Sequence, residues 1–277
     1  MTDLLGMPAF IEGLSYPESP RWHDGRLWIS DVHSFSLKAF DVHGAQQASI
    51  AVPGRPAGTG FTPDGEMIVA TAVDRKLTVV RGDRLVELAD LSGMTTGLLN
   101  DMVVDTRGRA YVGDTGFRYG TDDPQLPGRL ILVEPDGASR IVAEDVVFPN
   151  GVVLSPDGAT MYLAETFAER ITAFDVAADG SLSNRRVHAP LRGTPDGICL
   201  DDAGGLWIAL LAGKAFVRID ADGRETDRFD CGPRNAIACM IGGEDRRTLF
   251  LCHAEVGPER RGFVTASTAP FAAAGLP

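Results

Sequence analysis

The sequence predicts an all-β fold: a six-bladed β-propeller, four antiparallel strands per blade, with a metal ion at its central channel. Three observations predict it. A repeat runs the length of the chain, each repeat carries a hairpin turn, and one position of the repeat gathers oxygen-bearing side chains.

Six segments share the form apolar run, Asp/Gly-rich turn, apolar run. They are SPRWHDGRLWISD, GFTPDGEMIVAT, MVVDTRGRAYVGD, VVLSPDGATMYLAE, GICLDDAGGLWIAL and CMIGGEDRRTLFLCH. Their second runs align on Leu27, Met67, Ala110, Met161, Leu206 and Leu249, in steps of 40, 43, 51, 45 and 43 residues. Each run has strand length, and DG or GG between two such runs signals a hairpin. A third run follows each pair (LKAFD, LTVVR, RLILVEPDG, ITAFDV, FVRIDADG, RGFVTAS), and a weaker fourth precedes the next repeat. Four strands in that span make one blade. No segment shows a long helical period. Residues 7–13, ahead of the first repeat, are expected to lend a strand to the last blade and close the ring. With no linker and no shift of composition, residues 1–277 read as a single domain.

Bulk properties agree. The 277 residues are 44% hydrophobic with 32 Gly and 17 Pro, enough for a core without disulfides and rich in turns. A net charge of −12 disfavours nucleic-acid and anionic-membrane partners, which need a basic patch. No apolar run approaches a membrane span. The segment MTDLLGMPAFIEGLSY lacks the basic-then-apolar pattern of a secretory leader. Cys199, Cys231, Cys239 and Cys252 show no CxxC spacing and read as buried free thiols. A cytoplasmic location is expected, with a small-molecule substrate as partner and a monomer or small homo-oligomer as the assembly.

The functional reading comes from the start of the first strand. There the repeats read Pro17-Glu18-Ser19, Pro56-Ala57-Gly58, Leu99-Asn100-Asp101, Pro149-Asn150-Gly151, Pro195-Asp196-Gly197 and Arg234-Asn235-Ala236. Inner strands line a propeller's channel, so Glu18, Asn100, Asn150 and Asp196 should form a ring, with Asn235 as a fifth oxygen. One Asn or Asp before Gly is ordinarily a turn residue. Ala57 in the second repeat shows, however, that this turn does not demand an oxygen. Carboxylates and carboxamides are hard donors, suited to Ca²⁺, Mg²⁺ or Mn²⁺, and a cation would relieve the repulsion of Glu18 and Asp196.

These residues resemble the senescence-marker-protein-30, gluconolactonase and luciferin-regenerating-enzyme family. The likeness lies in PESPRW from Pro17 with LWISD from Leu27, LNDMVVD from Leu99, PNGVVLSPDGATMYLAET from Pro149 and PDGICLDDAGGLWIAL from Pro195. It implies a six-bladed propeller whose one divalent metal ion (Ca²⁺, Mg²⁺, Mn²⁺, Zn²⁺ or Fe²⁺) is held by Glu18, Asn150 and Asp196. Asn100 is then a further ligand or a substrate contact. It also implies ester-type hydrolysis, usually of lactones, with related members cleaving organophosphates. Sugar-lactonase members carry a substrate-contacting Arg two residues before the Asn of the ND motif. Here that position is Leu98, which points to a less polar lactone.

An open metal site can polarise a carbonyl and activate water. Asp196 is the expected general base and Asp101 the second choice, and the Asn100 amide could stabilise the oxyanion. The loops between second and third strands emerge at the same face and carry His33 and Phe35, then Phe117, Arg118 and Tyr119, then Phe167, then His253 and Glu255. With Leu98, the residues His33, Phe117, Arg118, Tyr119, Phe167 and His253 form the expected substrate surface. Residues 116–128, in the longest repeat, read as a lid. A structural His and core-packing aromatics are the ordinary alternative for each. Other readings of the whole are a non-hydrolytic reaction on a carbonyl compound, an organophosphate or aryl-ester hydrolase, or a non-catalytic metal-binding scaffold.

Overall fold

The computed structural model describes residues 2–274. Six four-stranded antiparallel sheets follow one another along the chain, each with its first strand innermost. The inner strands are Pro17–His23, Pro56–Phe61, Leu99–Val104, Pro149–Leu154, Pro195–Leu200 and Asn235–Gly242, in blades one to six. Each lies against the next, and the sixth against the first, so the ring is closed. As expected, the chain start completes the last blade: Ala9–Leu14 pairs antiparallel with Arg261–Thr268 as the outer strand of blade six. A contact the repeat did not foretell adds to this, since Thr2–Asp3 runs parallel to Glu225–Asp230 at the edge of blade five. There is no α-helix among the described residues, only three short 3₁₀ turns. Among the described residues no helix is long and apolar enough to cross a membrane.

Both faces of each blade are covered by neighbouring blades, so the middle strands are apolar throughout instead of alternating. Met67–Thr71, Ala110–Asp114 and Leu206–Leu210 are buried at every residue. The hydrophobic core is accordingly six seams, one per blade interface. Ile68, Leu77 and Leu91 of blade two meet Met102, Val112 and Ile131 of blade three. Leu27 and Ile29 of blade one meet Ile237, Phe250 and Val264 of blade six. The seam between blades one and two is the thinnest, with Leu37 and Val52 against Met67 and Val69.

Turn chemistry fixes the hairpins. Asp24 and Gly25 both have positive φ (48° and 71°), as a two-residue type I′ turn requires. Elsewhere the Asp that ends the inner strand pins its own turn. Asp105 accepts from the backbone N–H groups of Arg107 and Arg109 and pairs with Arg109 Nε at 2.7 Å. Asp201 does the same for Ala203 and Gly205, and pairs with buried Arg218 at 2.7 Å. The four cysteines are free and buried, as the sequence predicted.

Candidate active site at the channel mouth

Every inner strand breaks register with its partner near its start. The ladder shifts between Glu18 and Arg21, Pro56 and Thr59, Leu99 and Met102, Pro149 and Val152, Pro195 and Ile198, and Ala236 and Ala238. Such an irregularity releases a residue from the pleat and re-aims its side chain. At or beside the break stand Glu18, still paired with Ser30, and Ala57, Asn100, Asn150, Asp196 and Ile237, which have no ladder partner.

The glycine that follows in three blades serves close packing. A Cβ at Gly58 would meet Met102 N at 2.4 Å, one at Gly151 would meet Asp196 O at 2.6 Å, and one at Gly197 would meet Ala238 Cβ at 2.5 Å. Adjacent inner strands are therefore tightly packed at this level.

The register corrects one expectation. Ala236 pairs with His253 as Pro17 pairs with Asp31, so the ring position of blade six is Ile237 and not Asn235. The polar arc thus consists of Glu18, Asn100, Asn150 and Asp196, and Ala57 and Ile237 complete the circle with apolar groups.

The arc is electrostatically uncompensated. Glu18 is held well above the ordinary carboxylate range, first by burial and then by the charges of Asp196 and Asp101, with Arg55 opposing. Asp196 is raised in the same way by burial, with the Asn150 amide pulling it back and Asp101 adding to the rise. Asn150 is buried; its Nδ2 donates to Thr166 Oγ1 at 3.2 Å, while its Oδ1 has no hydrogen-bond partner. Thr166 Oγ1 in turn donates to the Pro195 carbonyl at 2.8 Å, which ties blade four to blade five. Asn100 donates through Nδ2 to the Pro149 carbonyl at 3.1 Å. Two buried like charges beside an orphaned carboxamide oxygen make a donor set that fits a hard divalent cation. No group of three or more His, Cys, Asp or Glu is arranged for a metal among the described residues, so the fit rests on carboxylates and carboxamides together.

Asp101 has a different duty. It accepts from Ser19 Oγ at 3.1 Å, its neighbour's backbone N–H at 2.8 Å and Arg21 Nη2 at 3.0 Å. Arg21 also donates to the Met102 and Pro20 carbonyls. This buried pair locks blade one to blade three across the second inner strand, and leaves Asp196 as the uncommitted carboxylate of the two expected bases.

One layer above the ring lie the residues two positions upstream: Tyr16, Arg55, Leu98, Phe148, Thr194 and Asn235. The first five accept backbone hydrogen bonds from Val32, Ala72, Thr115, Thr166 and Leu211, the first residues of the loops between second and third strands. Those loops therefore emerge at the ring face, as expected. Leu98, Phe117, Arg118 and Tyr119 line a cleft of about 660 Å³ with Arg55 and Arg75. Phe117, Tyr119 and Phe167 join Phe148 in an aromatic cluster with centroids 4.9–6.5 Å apart. Arg118 is held by Asp123 within the long loop through two bonds of 2.6 and 3.2 Å. His33 packs edge-on to Tyr16 at 5.6 Å.

His253 is placed otherwise. It is fully buried, bonds Thr265 through Nε2 at 2.9 Å and stacks on Phe263, with its contacts inside blade six. Burial and then Arg234 push its pKa down to about 4, so it is a neutral packing residue. Asp31 and Glu165, its counterparts in the repeat, are pins as well. Asp31 accepts from the backbone of Ser15 and Tyr16, and Glu165 from that of Val147, so both fix loops that lead into inner strands.

Tyr16, Arg55 and Phe148 escaped the sequence reading. The phenol of Tyr16 is pushed well above its ordinary pKa by burial and by Asp196 and Glu18, so it stays protonated beside the ring. The same column-wise reading that found the ring would have found all three, had it been applied two residues earlier.

Known proteins resemble the chain along nearly its whole length. The pentonolactonase XacC of Haloferax volcanii is 29% identical, the match covering 84% of this chain and 80% of that one. Among solved structures, a luciferin-regenerating enzyme superposes with a TM-score of 0.82 at 18% identity, covering 96% and 94% of the two chains. A calcium-binding protein, regucalcin from Agrobacterium tumefaciens, superposes with a TM-score of 0.77 at 19% identity, covering 95% and 97%. The family model described as SMP-30/Gluconolactonase/LRE-like region matches residues 16–255, a span from the mouth residue Tyr16 through the end of the sixth blade's second strand. The chain belongs to the SMP-30/gluconolactonase/LRE-like family.

Proposed function

We propose that the protein is a divalent-metal-dependent lactonase whose substrate is less polar than a sugar lactone. The observation that carries this reading is the polar arc itself: Glu18 and Asp196 buried in each other's field beside the partnerless Oδ1 of Asn150. Glu18, Asn150 and Asp196 would hold the ion, with Asn100 as the fourth donor. A divalent cation there would supply Lewis-acid polarisation of a carbonyl and a bound water of lowered pKa. That the related XacC is a pentonolactonase supports ester hydrolysis as the chemistry, and the calcium-binding neighbour supports a divalent cation as a ligand.

The chain's own residues divide the remaining work. Asp196 accepts the proton of the attacking water, because, unlike Asp101, it has neither an Arg nor a Lys bonded to it. Tyr16, protonated at neutral pH, offers an O–H to the oxygen that leaves the acyl carbon on ring opening. Leu98 and the aromatic cluster of Phe117, Phe148, Phe167 and Tyr119 exclude water from one side of the mouth. The long loop over the cleft is stiffened by Arg118 and Asp123.

A panel of alkyl, aryl and sugar lactones, assayed with chelated and metal-reloaded protein, tests the reading. Metal-restored turnover that favours the less polar lactones is the expected result. Absence of any metal-dependent hydrolysis would leave a binding scaffold, and sugar lactones as best substrates would overturn the specificity.

A further inference from the structure

The cleft beside the ring has a second chemical character. In a chain of net charge −12, its walls carry Arg55, Arg75 and Arg118 against one carboxylate, Asp123. Arg118 is spent on Asp123. The other two are not matched in this way. Arg55 is half-buried and its Nε is buried with no hydrogen-bond partner. Its charge is felt by Glu18, but the two are not in ion-pair contact, so the guanidinium's donors remain available to the cleft. Arg75, also half-buried, shares the wall, and its field lowers surface Asp90. His33, at the other side of Tyr16, is held below its ordinary pKa by burial and by the positive field of Arg260 and Arg55. The mouth is therefore positive above a negative ring.

Backbone strain fixes the Arg55 position. Its φ is 65°, a left-handed conformation that a side-chain-bearing residue adopts at a cost. The conformation is held by two backbone bonds, from Arg55 N–H to Val52 O at 3.0 Å and from Ala72 N–H to Arg55 O at 2.8 Å. Apolar Leu98 occupies the matching position on the next blade, so cation and apolar surface sit side by side.

We infer that this cleft selects a lactone with an apolar body and an anionic substituent, the body lying on Leu98, Phe117 and Tyr119 and the anion on Arg55, supported by Arg75. This deepens the lactonase reading and rests on it for the reaction, although the anion preference itself is a binding property. A guanidinium without a partner gains most from a planar carboxylate, which accepts two parallel N–H bonds.

Two matched pairs test it. Chroman carboxylate and chroman carboxamide, which cannot be hydrolysed, are titrated calorimetrically into the protein; dihydrocoumarin carboxylate and its carboxamide are followed as substrates. The carboxylate should bind about 10–100-fold more tightly than the amide, the range for hydrogen bonds to a charged group. Arg55→Gln should bring the pair to near parity with an unchanged thermal midpoint, and Arg55→Lys should retain part of the preference. In turnover the loss should appear in KM and leave kcat nearly unchanged. Equal binding of the two chromans, or a preference intact in the Arg55→Gln/Arg75→Gln double variant, overturns the inference. Rapid hydrolysis of neutral lactones without anion preference sinks the inference and leaves the lactonase reading standing. Chroman carboxylate preference with no lactone hydrolysed does the reverse.

Discussion

Metal binding should stabilise this protein, and the stabilisation should grow with pH. Glu18 and Asp196 have folded-state pKa values raised above those of the unfolded chain. A raised carboxylate means that the folded state holds more protons, so this pair's contribution to stability falls as pH climbs above the unfolded range, about pH 4. A cation competes for the same sites, and its affinity rises as those protons leave. At a free concentration 100 times the dissociation constant, a ligand that binds only the folded state adds about 2.7 kcal/mol. For a domain of this size that corresponds to about 5–10 °C in thermal midpoint.

The assay is calorimetry or thermal fluorescence on chelated protein, with and without Ca²⁺, Mn²⁺ or Zn²⁺, at pH 5 and pH 7.5. The difference between loaded and chelated protein isolates the ring, because other groups slope the opposite way. His253, lowered to about 4, destabilises the fold as pH falls below its unfolded value near 6.5, whatever the metal content. Glu18→Gln and Asp196→Asn should each raise the midpoint of the chelated protein, by removing one of two facing buried charges, and should lose most of the metal-induced gain. If no divalent ion moves the midpoint at pH 7.5, or if both variants respond as the unmodified protein does, the cation site is wrong.

Asp196→Asn should also lower kcat by about 10²–10⁴-fold with no rescue by excess metal, the usual cost of losing a general base, whereas Asn150→Ala should mainly weaken metal affinity and regain part of its rate at high metal. Full rescue of Asp196→Asn would make it a ligand only. Leu98→Arg should shift kcat/KM toward polyhydroxylated lactones, and an unmodified protein that already prefers them would refute the role given to Leu98. Asp101→Ala strands buried Arg21 and should cost about 3–5 kcal/mol in urea unfolding, with Asp101→Leu/Arg21→Met recovering much of it; a loss below about 1 kcal/mol would mean that the pair is solvated in solution.

The propeller was legible because its determinants are local and repeated. Apolar runs of strand length and Asp/Gly turns recur six times, and averaging over six copies suppresses the ambiguity of any one. The equivalent placing of Glu18, Asn100, Asn150 and Asp196 at the strand starts was legible for the same reason. What blurred was register and charge pairing. Asn235 looked like a ring residue because Arg234-Asn235-Ala236 mimics Pro-Asp-Gly, yet strand pairing places Ile237 there. A two-residue slip preserves the strand's facing and so leaves its alternation pattern intact. The partners of Asp101, the second choice of base, and of His253, for which a structural role was the ordinary alternative, are Arg21 and Thr265, and both are set by tertiary contacts.

A division of labour in the blade explains why such a site can arise. Stability resides in the six apolar seams and in buried pins such as Asp201 with Arg218 and Asp105 with Arg109. The polar ring residues take no part in those seams, whereas apolar Ala57 and Ile237 join them, with Leu98 and Tyr16 of the layer above packed alongside. Ala57 and Ile237 show that an apolar side chain serves the fold at the ring level as well as Glu18 or Asp196 does. The same holds one layer up, where Tyr16, Arg55, Leu98, Phe148 and Thr194 share a backbone role with five unlike side chains. Chemistry can therefore be written in the ring and specificity in the layer above it, with each blade contributing one residue to either. Substitutions in the upper layer should consequently change KM or substrate preference while shifting the thermal midpoint by little, and those in the seams should do the opposite. Replacing Thr194 with Val and Ile208 with Ala makes the contrast in a single blade: the first, which loses the exposed bond from Ala212 N–H to Thr194 Oγ1, should cost about 1 kcal/mol or less, and the second should lose about 2–5 kcal/mol. A comparable loss from both would show that the mouth layer is part of the folding core, and that specificity there is bound to stability.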